Sequence, residues 1–122
     1  MGPEPKYAPA AAVRAVEQAH IAGNVLNDYN FGDYLIFRGI KTFIDGRADM
    51  FGDPFLKRYY EAVHGDSDEL PALIKQYDIT WTIFPPDARA VALIGHLPGW
   101  RRFYADDTAV VQVRDGAMPA AR

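Results

Sequence analysis

The chain has 122 residues, a formal net charge of −3, an apolar fraction of 49% and no cysteine. That length fits one domain, and folding at this size buries roughly two-thirds of the unfolded surface, enough for a true core. The apolar fraction argues against disorder. Mild acidity with scattered basic residues excludes a nucleic-acid partner, and missing cysteine excludes disulfides, zinc-thiolate sites and thiol catalysis.

In chain order, Met1–Pro9 carries three prolines and reads as a lead-in or linker. Ala10–Ile21 places Val13, Val16 and His20 at helical spacing, with Gly23 as the stop. Asn24–Leu26 reads as a short strand and Phe31–Arg38 as a helical turn ended by Gly39. Thr42–Ile44 reads as a second short strand, followed by an Asp45-Gly46 turn. Asp53-Pro54 starts a helix that presents Phe55, Leu56, Tyr59, Tyr60 and Val63 and ends at Gly65. Leu70, Leu73, Ile74 and Tyr77 mark the next helix by their i, i+3, i+4, i+7 stripe. Ile79–Phe84 is β-branched and aromatic, a strand closed by Pro85-Pro86. Asp87 caps a helix through Val91, Ile94 and Leu97. Trp100–Ala105 and Thr108–Val113 form a hairpin around Asp106-Asp107, and 116–122 is a tail.

Strands separated by helices predict crossovers and parallel pairing. The expectation is an α/β fold over 10–115: a small, mostly parallel sheet of about five strands, flanked by helices, with a C-terminal antiparallel hairpin. No apolar run approaches the roughly 18 residues that a membrane span needs. No charged head followed by an apolar block marks a signal peptide at Met1.

The densest polar stretch is Asn27–Gly52, NDYNFGDYLIFRGIKTFIDGRADMFG, with four aspartates among many aromatics. If its two strands are parallel neighbours, Asp28 and Asp45 both lie at the carboxyl edge of the sheet, where open α/β sheets bind ligands. Arg47 and Asp49 follow, and Tyr29, Tyr34 and Phe51 supply a rim. Carboxylates, an arginine and aromatic rings suit a sugar or another polyhydroxylated ligand. The same oxygens suit a hard cation. The scaffold alternative stands beside these: Asn and Asp are ordinary turn and cap residues, and Arg47 can pair with Asp45 or Asp49 to fix the loop. The candidate ligand residues are Asp28, Tyr29, Tyr34, Asp45, Arg47 and Asp49, with no catalytic residue, metal ligand or cofactor assigned. No phosphate-binding glycine loop occurs.

The segments NVLNDYNFGDYLIFRG and FIDGRADMFGDPFLKRY, with the later Phe84-Pro85-Pro86 and Leu97–Trp100, resemble a C-terminal soluble domain of certain bacterial multi-pass membrane proteins. Those proteins are uncharacterised or similar to C-superfamily glycosyltransferases, which use polyprenyl-phosphate sugars. The resemblance covers roughly residues 20–115, and the chain departs from the pattern at Asp33, where many relatives carry a second glycine. It implies a non-catalytic accessory or binding domain on the extracytoplasmic side of a bacterial inner membrane. Its implied partners are a glycan or polyprenyl-phosphate sugar and a multi-pass membrane portion. The alternatives from the residues themselves are a free-standing enzyme using Asp28 and Asp45, and a purely structural domain.

Overall fold

The computed structural model of the chain describes residues 8–45, 53–65 and 68–117. Helix α1 spans Ala10–Ala19 and strand β1 Asn24–Asn27. A single 3₁₀ turn, Tyr29–Phe31, leads into α2, Gly32–Phe37. Helices α3 (Asp53–His64) and α4 (Glu69–Gln76) precede β2, Ile79–Phe84. Helix α5 (Arg89–Gly95) and strands β3 (Trp100–Ala105) and β4 (Val110–Arg114) complete the order. None of the described helices is long and apolar enough to cross a membrane.

The expected mostly parallel, five-stranded sheet is corrected. Among the described residues the sheet has four strands in the order β1-β2-β4-β3. Only β1 and β2 run parallel; β4 pairs antiparallel with both β2 and β3. The terminal hairpin therefore does not add to one edge of a parallel sheet. Its second strand lies directly against β2, so antiparallel pairing dominates.

The missing strand is Thr42–Ile44, which is a loop. Its backbone groups are met by one side chain. Asn27, fully buried at the end of β1, accepts at Oδ1 from the backbone N–H of Phe43 at 2.8 Å and of Ile44 at 3.2 Å. Its Nδ2 donates to the Ile44 carbonyl at 2.7 Å. An amide side chain carries the same donor and acceptor as a peptide unit, so it satisfies this loop without a strand ladder. Phe43 supplies the apolar anchor: its ring stacks on Phe55 and Tyr59 and meets Tyr77 edge-on, with centroids 5.1–6.1 Å away.

Two apolar clusters cover the two faces of the sheet. One joins Ala12, Val13 and Val16 of α1 and Leu35 of α2 to Val25, Trp81, Ile83 and Val111. The other joins Tyr59 of α3, Leu73 and Ile74 of α4, and Ile94 of α5 to Leu26, Phe84 and Val110. Leu70, Leu73 and Ile74 are buried as their spacing requires, while Tyr60 and Tyr77 stay exposed, Tyr60 stacked on His64. Two caps differ from expectation. Helix α1 ends at a left-handed His20 (φ 56°), with the Ile21 N–H reaching back to the Val16 carbonyl, before Gly23 is reached. Helix α5 is preceded by Ala88 in extended conformation, with no side-chain cap, so Asp87 is released from capping.

Candidate functional site

The end of β1 is held from three directions. The Asp28 N–H donates to the Ile83 carbonyl at 2.9 Å, carrying the parallel pairing one residue further. The Tyr59 hydroxyl donates to the Asn27 carbonyl at 2.8 Å. Burial, then the nearby Asp28 charge, pushes the Tyr59 phenol far above its ordinary pKa, so it stays a neutral donor. The Asp28 carboxylate accepts from the Asn30 N–H at 3.0 Å and caps the 3₁₀ turn. Packing is tight behind this turn: a Cβ on Gly32 would lie 2.6 Å from the Ile44 carbonyl oxygen and 2.7 Å from the Asp45 Cα. Glycine is thus required here by space, since its φ of −58° is open to any residue.

Beyond Asp28 lies an open cavity of about 780 Å³. It sits at the carboxyl ends of the parallel pair β1 and β2, beside the turn that enters β4. Four aspartates line it: Asp28 and Asp33 from the segment after β1, Asp87 after β2, and Asp107 from the β3–β4 turn. Phe31, Tyr34, Pro85 and Pro86 supply apolar wall. No lysine, arginine or histidine is among the described lining residues. Burial raises the Asp28 pKa above its ordinary value, outweighing the opposing Asn30 hydrogen bond and His64 charge, while the charge of Asp87 adds only a smaller upward push. The Tyr34 hydroxyl is buried, with no hydrogen-bond partner among the described residues. Among the described residues no three His, Cys, Asp or Glu side chains are grouped to hold a metal ion.

The predicted site residues do not all come together. Asp28 and Tyr34 line the cavity. Tyr29 packs against the opposite cluster, on the α3–α5 side. Asp45 is 3% exposed and outside the cavity lining, and its Oδ2 accepts from the Thr42 hydroxyl at 2.7 Å. Asp28 and Asp45 therefore do not share one cavity, because the segment before Asp45 is a loop held by Asn27 rather than a parallel neighbour of β1. Arg47, Asp49 and Phe51 lie outside the described residues. Asp33, Asp87 and Asp107 were not selected from the sequence. Asp87 looked like a helix cap and Asp107 like a hairpin turn. The signal that finds Asp87 is the one that found Asp28: it follows a strand at the carboxyl edge.

Comparison with protein-family models, with curated proteins and with solved structures gives no match in any of the three. The cavity and its residues are what bear on function.

Proposed function

We propose that this chain is a non-catalytic binding domain that takes a sugar or sugar-like ligand in the cavity at the carboxyl ends of β1 and β2. One observation carries the reading: four aspartates from three chain segments line one cavity with ring and proline surface. Carboxylates accept hydrogen bonds from hydroxyls, and bonds to an ionised acceptor are the stronger kind. Apolar wall with a few convergent polar groups is the usual make-up of a small-ligand site, and it suits the C–H face of a pyranose.

The sequence resemblance supports assigning the domain to a membrane glycosyltransferase-like protein, as an extracytoplasmic accessory part associated with a multi-pass portion. On that assignment the sugar, rather than the polyprenyl phosphate, is the moiety contacted. A phosphate facing Asp28, Asp33, Asp87 and Asp107, with no cation among the described wall residues, meets net repulsion. Ligand-observed NMR with a panel of monosaccharides tests the reading. Saturation transfer from protein to sugar is expected, and its absence at millimolar sugar would sink the proposal.

A second reading, an acid–base enzyme, is favoured by the raised pKa of Asp28 beside Asp87. Two carboxyls in unlike environments are what a general acid and base need. Nitrophenyl glycosides separate the two readings. Turnover abolished by Asp28→Asn and by Asp87→Asn assigns a catalytic pair, whereas sugar binding without turnover assigns a binding domain.

A further inference from the structure

The outer edge of β1 is closed at both ends and open between them. At one end the Asn24 Nδ2 donates to the Tyr77 carbonyl at 2.9 Å. At the other the Asn27 side chain holds the loop at Phe43 and Ile44. Main-chain groups of successive residues face opposite sides of a strand. The Asp28 N–H points to β2, and the Asn27 carbonyl points away from it, to Tyr59. The register is unbroken from Val25 to Asn27, so the Val25 N–H and carbonyl also point away from β2. No described residue outside the sheet bonds either group. An unpaired donor and acceptor on a strand edge are what an added strand pairs with.

Against this edge lies a second cavity, of about 220 Å³, whose lining includes Val25, Lys41, Phe43, Phe55 and Tyr77. Phe43 stacks on Phe55 with centroids 5.4 Å apart and meets Tyr77 edge-on at 5.1 Å. The volume is below the roughly 300–1,000 Å³ of a whole small-ligand site and suits one apolar side chain. Lys41 is exposed in the same lining, with no ion-pair partner among the described residues. We propose that this edge takes an extended acidic peptide segment of a partner protein. Its main chain pairs with Val25, one apolar side chain enters the aromatic pocket, and a carboxylate meets Lys41. A second copy of this chain is the poorer occupant. Among the described residues the other sheet edge, β3, presents Arg101 and Arg102 rather than carboxylates, and its pairing register shifts between Arg102 and Tyr104.

Amide shift mapping of the chain with two blocked tetrapeptides, acetyl-Glu-Leu-Glu-Leu-amide and acetyl-Lys-Leu-Lys-Leu-amide, tests the proposal. The acidic peptide is expected to shift Val25, Lys41 and Tyr77 saturably and to slow solvent exchange of the Val25 N–H. It is expected to bind about threefold to fivefold tighter than the basic peptide, the size of effect one exposed ion pair gives. Lys41→Glu, at an exposed position, keeps the fold and reverses that preference, which a merely structural lysine does not do. Equal binding of the two peptides, a preference that Lys41→Glu leaves unchanged, or no shift at Val25 with either peptide at millimolar concentration overturns the proposal. Concentration-dependent shifts at Val25 without peptide identify a second copy as the occupant and overturn it likewise.

Discussion

The Asn27 side chain and the backbone of Ile44 are bonded in both directions: Oδ1 accepts the Ile44 N–H at 3.2 Å and Nδ2 donates to the Ile44 carbonyl at 2.7 Å. One amide thereby closes the outer side of β1 where a neighbouring strand would otherwise stand. It also fixes the residue before Asp28, whose carbonyl is gripped by Tyr59. The site is thus built on a strand end held by three unlike groups: a neighbouring strand, a loop and a helix.

Asn27→Ala removes the partners of the Phe43 and Ile44 N–H groups and of the Ile44 carbonyl. Each buried group left unpaired costs about 1–3 kcal/mol, so the variant is expected to lose roughly 2–4 kcal/mol in urea denaturation. Asn27→Asp is nearly isosteric but offers an acceptor where the Ile44 carbonyl needs a donor. It is expected to be at least as destabilising as Ala at pH 7. A neutral result for Asp would show that shape, rather than the donor–acceptor pattern, holds this loop.

Gly32→Ala tests the packing of α2 on the same loop. The added Cβ meets backbone, the Ile44 carbonyl and the Asp45 Cα, neither of which can rotate away. Overpacking of this kind costs about 1–3 kcal/mol. Helix propensity alone predicts the opposite, since Ala is favoured over Gly by about 1 kcal/mol inside a helix. Chemical denaturation gives the sign directly.

Asp28→Asn is expected to raise stability at neutral pH. The folded pKa of Asp28 lies above 3.8, chiefly through burial. A carboxyl shifted this way contributes stability that is complete below its unfolded pKa and lost as pH rises through the folded value. At pH 7 the charge is a burden, which Asn lifts while its Oδ1 still accepts from the Asn30 N–H. The Tm advantage of the variant should be present at pH 7 and fade as the pH falls towards 3.8. The same variant should lose affinity for sugars, so that stability and binding move in opposite directions.

Asp106 provides the contrasting sign. Burial pushes its pKa up, but the Tyr104 hydroxyl and the Ala109 and Thr108 N–H groups outweigh this and hold the carboxyl below 3.8. Its contribution is present above the unfolded pKa and lost as pH falls through the folded one. Asp106→Ala removes the carboxylate that organises the β3–β4 turn and should cost about 1–2 kcal/mol at pH 7. The difference from wild type should close in acid, below 3.8, when followed by thermal melts across pH.

Much of the fold was legible locally. The stripe Leu70, Leu73, Ile74 gave α4, the β-branched run Ile79–Phe84 gave β2, and the Asp106-Asp107 turn gave the hairpin. What failed was non-local. Thr42–Ile44 has strand-like composition, but its hydrogen-bonding groups are taken by a side chain 16 and 17 residues earlier in the chain. The pairing of β4 with β2 likewise follows from how the whole sheet closes, not from either strand's own pattern. At the site, Asp28 was visible because it follows a strand. Asp45 belongs to the same residue type, yet it is buried and bonded to Thr42. Asp87 and Asp107 were hidden by their resemblance to ordinary caps and turns.

On the proposed reading, the cavity at the carboxyl ends of β1 and β2 is the ligand site. Residue-resolved amide shift mapping during titration with a panel of monosaccharides tests this most directly. Saturable shifts are expected at Asp28, Asp33, Asp87 and Thr108, with Asp45 and the remote Asp78 scarcely moved. Shifts confined to other faces of the molecule, or none at millimolar ligand, would contradict it.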